Sequence, residues 1–388
     1  MIDQTVSGKQ MRLRWLTWGH FLNDGIANYL PGILPFLVAS RHVPLGLAGG
    51  FMSALLIGQS LQPVTGWIAD RLGGRIFILG GLAVSTLSAA MLGWVHPVWL
   101  MLVLLVVTGL GNTAFHPQAL TTARQLVGSR PSLDMSIFLV GGELGRGLGP
   151  LAAGIVVSRL GLGWLWLLGL PWALSGIGLW RVVPSLSART RRGERVRWRR
   201  HLRPAGALLA FSAVRAATIY EVVTLAPILW REHGGSLVGG ATLVTVLIGV
   251  GITGNLLGGI VTDRFGRKAV LTVSTVIAAL TLGVFMVAQG IWLLPVLAIM
   301  GSALFGASAA TMMIGQDIFS ENPAMGSGVA LGLANGLGAI MVLPLTYLAV
   351  RWQADGAIGI LILLTAGTFP LIWALPLLPG ARTVPRAG

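Results

Sequence analysis

The sequence predicts an all-α membrane protein of twelve transmembrane helices, built as something close to two copies of one half. Three observations predict this. Hydrophobic residues make up 54% of the chain and charged residues only 10%, whereas a water-facing domain carries about a quarter charged. The apolar runs are near the ~20 residues that cross a bilayer as a helix, and they do not alternate as barrel strands do. Third, one pattern, G-x-x-x-D-R-x-G-[GR]-[RK], occurs twice, from Gly66 to Arg75 and from Gly259 to Lys268. The copies lie 193 residues apart in a chain of 388, and each closes one apolar run and opens the next.

The spans follow in order. The first, about Trp15 to Ser40, is unusually polar. His20, Asn23, Asp24 and Asn28 fall at spacings that put them on one helix face, and Pro31 and Pro35 are placed to kink its outer half. The second covers about Leu47 to Ala69 and the third Ile76 to Val95. The fourth, Val98 to Ala123, contains Phe115-His116-Pro117. The fifth runs from Met135 to Val157, where Gly141, Gly145 and Gly149 recur every fourth residue ahead of Pro150 and Gly154. Such a face of small residues lets a neighbouring helix approach closely. The sixth spans Leu162 to Val183. Residues 185–204 have no apolar run and hold eight arginines, so they form a basic linker between an N-terminal domain, 1–184, and a C-terminal one, 205–388. Spans seven to twelve are expected at Ala205–Trp230, Leu237–Thr262, Ala269–Ala288, Ile291–Gln316, Met325–Val350 and Gly356–Leu378.

The net charge of +15 is distributed with a sign. Counting loops in order, 21 Lys/Arg fall on one side and 4 (Arg41, Arg159, Arg231, Arg351) on the other. By the positive-inside rule this places both termini in the cytoplasm of a cell (inner or plasma) membrane. Basic loops beside anionic lipid headgroups account for the charge, so no nucleic-acid partner is expected. The chain has no cysteine, which excludes disulfides and thiol chemistry. No metal-ligand spacing, triad or phosphate-cradling loop is visible. The chain reads as a monomer and not an enzyme, with no cofactor and no metal.

The repeated hairpin resembles the loop between helices 2 and 3 of the major facilitator superfamily, which recurs between helices 8 and 9. The resemblance implies the major facilitator fold, two pseudo-symmetric six-helix bundles around a substrate cavity. It also implies a latch role for Gly66, Asp70, Arg71, Gly73 and Arg75 and for Gly259, Asp263, Arg264, Gly266 and Arg267. Gly19-His20-Phe21-Leu22-Asn23-Asp24, Phe115-His116-Pro117 and Val140-Gly141-Gly142 leading to Gly149-Pro150 further resemble the fosmidomycin-resistance branch. That likeness implies a proton-driven exporter of a small anionic phosphonate, and the Gly-Pro pattern of the fifth span is similar to that of exporting members.

An ionisable group at membrane depth costs about 2.5–3.5 kcal/mol on insertion scales, so each is a functional candidate. Asp24 is the leading carboxylate for loading and releasing a proton, against the plainer reading of a polar stripe. Glu143 and Arg146, three residues apart, form either a structural ion pair or a switchable one whose guanidinium takes an anion through its planar fork. His116 is a proton relay or a satisfied structural histidine. Arg215 and Glu221 are six apart, too far for an intrahelical pair, so each needs another partner. Proton coupling is therefore assigned to Asp24, Glu143, Glu221 and His116, and substrate contact to His20, Asn23, Asn28, Arg146, Arg215 and Tyr220. The function expected is proton-coupled efflux by antiport of small anionic or amphiphilic compounds, with coupled import or exchange of an organic anion as the alternative.

Overall fold

The computed structural model describes residues 6–61, 64–65, 68, 74–126, 131–183, 198–320, 326 and 328–375. Among the described residues, each span expected from the sequence contains helix. In chain order these are α1 (Val6–Ala27), α2 (Leu30–Ser40), α3 (Ala48–Ser60), α4 (Gly74–Met91), α5 (Val98–Leu126), α6 (Pro131–Leu160) and α7 (Leu170–Val182). They continue with α8 (Trp198–Glu232), α9 (Leu237–Phe265), α10 (Arg267–Val287), α11 (Leu293–Ile318), α12 (Ala334–Arg351), α13 (Gln353–Gly367) and α14 (Phe369–Ala374). Among the described residues, nine helices are long and apolar enough to cross a membrane.

The first span departs from expectation in one respect. It is broken at Asn28–Tyr29 rather than bent at Pro31 and Pro35, and Pro35 sits inside α2. The local chemistry explains the break. Asn28 donates its side-chain amide to the Asp24 carbonyl at 2.8 Å, and Pro31 occupies the first turn of α2, where its missing N–H costs nothing. That missing donor leaves the Ala27 carbonyl, which the Gln59 amide faces at 3.4 Å. Pro117 likewise cannot serve the carbonyl of Thr113, and the Thr65 hydroxyl donates to it at 3.0 Å. So the second span patches both proline gaps.

By internal packing the chain forms two compact units. The first comprises Met1–Arg191, Tyr220–Gly249 and Ala339–Ala357. Within it α4 packs along α5, α3 along α5 and α1 along α6, around a core that includes Leu16, Ile78, Leu82, Phe115 and Phe138. The α1–α6 contact is backbone against backbone. A methyl group added at Gly145 would overlap the Phe21 carbonyl and one at Gly149 the Gly25 carbonyl, and on α2 one at Gly32 would overlap the Pro150 carbonyl. Gly141 faces Thr17, and Gly154 faces Ala241 and Gly32. The second unit comprises Arg192–Ile219, Val250–Gly338 and Ile358–Gly388, with α10 along α11 and a core that includes Leu208, Phe211, Leu271, Ile314 and Ile372.

Candidate functional site

The first unit buries a carboxylate among donors. Asp24, on α1, is 1% exposed. Its Oδ1 receives the Asn112 amide at 3.1 Å and the Asn23 amide at 3.3 Å, and His116 Nε2 lies 3.1 Å away. Its Oδ2 receives the Arg146 guanidinium at 3.1 Å, and His20 Nε2 stands at 3.7 Å. α1, α5 and α6 thus converge on one side chain. A buried charge survives only when paired and hydrogen-bonded in this way.

The histidines are held in a defined sense. His20 Nδ1 lies 2.9 Å from the Phe138 carbonyl, and His116 Nδ1 lies 2.8 Å from the Asn112 carbonyl. A carbonyl only accepts, so each Nδ1 carries its hydrogen and each Nε2 is turned toward Asp24. At 3.1 Å, His116 Nε2 and Asp24 Oδ1 cannot both be bare acceptors. One proton must sit between them, on the imidazole or on the carboxyl. The His20 ring stacks on Phe138 at 4.5 Å and on Phe115 at 5.7 Å. Its ring fits only because residue 142 is glycine, where a side chain would overlap the imidazole.

Arg146 links this carboxylate to a second. Its Nη1 lies 3.3 Å from Glu143 Oε1 while its Nη2 holds Asp24. The Arg146 side chain is 32% exposed, so it forms the accessible edge of a buried cluster. Tyr220, half-buried on α8, is within electrostatic range of it. Asn23 is anchored by the Ser85 hydroxyl at 3.2 Å, and Asn28 faces the Gln59 amide at 3.5 Å. Hence Asp24, His116, Glu143, His20, Asn23 and Arg146 are brought together, with Asn28 serving the α1 backbone beside them.

Two assigned residues lie elsewhere. Glu221 is fully buried, and the Thr346 hydroxyl approaches its two oxygens at 3.0 and 3.1 Å. Arg215, in the second unit, donates from Nη1 to the Leu304 carbonyl at 3.0 Å and to the Ser308 hydroxyl at 3.1 Å. It lines a cavity with Phe211, Ser274, Thr275 and Thr368. Of the latch residues, Gly66, Asp70, Arg71, Gly73 and the side chain of Asp263 lie outside the described residues. In the second hairpin Gly266 takes φ +85°, a conformation suited to glycine. Arg267 then pairs with Asp317 at the end of α11, and the Arg264 guanidinium lies 5.3 Å from the Phe265 ring centre. Gly259 has open space where a Cβ would be. Arg75 donates to the Trp180 carbonyl and stacks over its ring.

Spacing in the sequence reveals no metal-ligand cluster, yet His20, Asp24 and His116 bring three donor atoms within 4.8 Å of one another. The carboxylate is already committed to a guanidinium and two amides. Sequence reasoning also missed Asn112, Ser85 and Thr346, and it named Gly142 only within a family motif. Asn112 stands one turn before His116 in an otherwise apolar run, and that periodicity was the signal that could have found it.

Long apolar helices with ionisable side chains gathered inside them define a polytopic membrane protein. Residues 16–342 match the model of the Major Facilitator Superfamily, and the chain belongs to that family. It is 26% identical over 347 residues to the fosmidomycin resistance protein of Escherichia coli, covering 84% of this chain and 83% of that one. It is 25% identical over 336 residues to the MFS-type transporter YfnC of Bacillus subtilis, covering 83% and 82%. Among solved structures, a mutant of the nucleoside transporter NupG shares the fold with a TM-score of 0.77 at 14% identity, over 94% of this chain and 98% of that one. A bacterial homologue of the human lysosomal transporter Spinster does so with a TM-score of 0.73 at 16% identity, over 96% and 98%. The chain is therefore a multi-pass membrane protein and a secondary transporter of a small molecule.

Proposed function

We propose that the chain is a proton-coupled transporter of small anionic compounds that works by alternating access. In this reading Asp24 with His116 is the proton site, and Arg146 is the point of attachment for the anion. The observation that carries it is a buried carboxylate, Asp24, shared between an imidazole and a guanidinium. Two six-helix halves, 1–184 and 205–388, would rock about a midplane site, as secondary transporters do. The basic linker 185–204 and the other basic loops would lie on anionic lipid.

Efflux of a phosphonate in exchange for protons is the first reading, and the Escherichia coli relative is named for resistance to fosmidomycin. Uptake of an organic anion is the second reading, and the contact of Arg146 with Asp24 favours it. Proteoliposomes loaded with the purified chain test both. With an imposed pH gradient, labelled fosmidomycin should move in the wild type and stop when the gradient is collapsed. Movement toward the alkaline side identifies cotransport with protons, and movement toward the acid side identifies exchange. Transport indifferent to the gradient removes proton coupling altogether.

A further inference from the structure

The Asp24–Arg146 bond bears on the sign of the coupling as well as its site. Arg146 is 32% exposed and Asp24 1%, so an incoming anion reaches the guanidinium and not the carboxylate. Both terminal nitrogens of that guanidinium are engaged: Nη2 is on Asp24 and Nη1 is on Glu143. Each terminal nitrogen carries a second N–H, and an anion drawn onto them competes with Asp24 for the charge of Arg146 and pulls the guanidinium toward itself. The carboxylate left behind is buried and has lost its fixed cation, a costly state unless its charge is cancelled. Protonation cancels it: the proton on His116 Nε2, 3.1 Å from Oδ1, crosses to the carboxyl, and the imidazole left neutral takes one replacement proton from water, so the site gains one proton overall. Read in reverse, a proton added to Asp24 releases the guanidinium for an anion. The other ionisable groups facing this exchange are His20 from α1 at 3.7 Å, Glu143 on α6 and Tyr220 on α8. From α4 comes the neutral Ser85 hydroxyl, through Asn23.

We infer that this site binds an anion and a proton together, so that the cargo and its proton cross the membrane in the same direction. The inference rests on the reading of Asp24 and Arg146 given above and selects which of its two directions applies to anions. Coupling of this kind is reciprocal: what the proton does for the anion, the anion does for the proton. Exchange needs the opposite sign, with cargo and proton excluding each other. At this site only a cation competing for Asp24 or Glu143 would meet that need.

The test is calorimetry on the purified full chain. The probes are methanesulfonate, whose charge is fixed across the range, and methylphosphonate. Titrations in buffers of different ionisation enthalpy count protons directly on the wild type. The expected result is uptake of about one proton per methanesulfonate bound, with affinity falling by up to about tenfold per pH unit as pH rises from about 6 to about 8. Asp24→Asn should bind the probe with an affinity independent of pH, and Arg146→Gln should not bind it. Proton release on binding, or a wild-type affinity that ignores pH, overturns the inference. So does failure of both probes to bind while gradient-driven fosmidomycin transport persists. That last result leaves proton coupling standing, whereas loss of gradient-driven transport removes the reading beneath it.

Discussion

At the scale of single residues, the distribution of protons and charges around Asp24 sets what each substitution should do. Asp24→Asn keeps the shape but removes the charged acceptor that His116 and Arg146 share. Transport driven by a pH gradient in proteoliposomes is expected to be lost while the variant still inserts and purifies like the wild type. Gradient-driven transport at the wild-type rate would remove Asp24 from the coupling role. Arg146→Ala should abolish transport, whereas Glu143→Gln, which leaves the Asp24 contact in place, should retain partial binding of the anion. Equal loss of folded protein in both would instead identify a purely structural pair. Part of this cluster was legible in the sequence. His20, Asn23 and Asp24 sit on one face of one helix, and spacing alone groups them. The ionised side chains His116 and Arg146 stand out because charge inside an apolar run is costly. That they meet Asp24 was not legible, since 92 and 122 residues of chain separate the partners and only helix packing closes those distances. Neutral Asn112 and Ser85 carry no comparable penalty, so charge does not flag them, and for Asn112 only its spacing from His116 does.

At the scale of elements, the α1–α6 contact is where small residues decide geometry. It brings Arg146 to Asp24, so its spacing controls the site. Gly149→Ala drives a methyl group into the Gly25 carbonyl, and overpacking of a tight contact costs about 1–3 kcal/mol. A melting temperature lower by several degrees is expected in a detergent thermal-unfolding assay. Gly80→Ala, on α4, meets nothing within 4 Å and should leave stability unchanged or slightly raised, because alanine favours helix over glycine. If the two variants melt alike, close approach at Gly149 contributes nothing. The four-residue glycine repeat in the sequence pointed to such a face, but not to which helix would occupy it. Helix positions were similarly readable from apolar run length, because bilayer thickness fixes that length. The break at Asn28–Tyr29 was not, because it depends on a side-chain cap and on Gln59 arriving from another span.

At the scale of the whole molecule, the repeat that the hairpins announce extends to a second device. Arg75 stacks over Trp180 with its guanidinium carbon 4.4 Å from the ring centre, and Lys268 stacks over Trp373 with its ammonium at 4.6 Å. Each partner in the second pair lies 193 residues after its counterpart in the first, the same interval that separates the hairpins. One pair lies in each compact unit. A cation over an indole is worth about 0.5–1 kcal/mol where it is exposed, and both tryptophans are exposed. In each case the contact ties the start of one span to the end of the span three further on, an attachment that the duplicated hairpin supplies with its cation. Trp180→Leu and Trp373→Leu should each lower stability by a similar small amount, and the double variant by their sum, since each pair is internal to its own unit. Thermal unfolding of the three variants measures this. A loss confined to one pair would show that only that half uses the clamp, and a strongly non-additive double variant would show that the two clamps act on a shared step rather than each on its own unit.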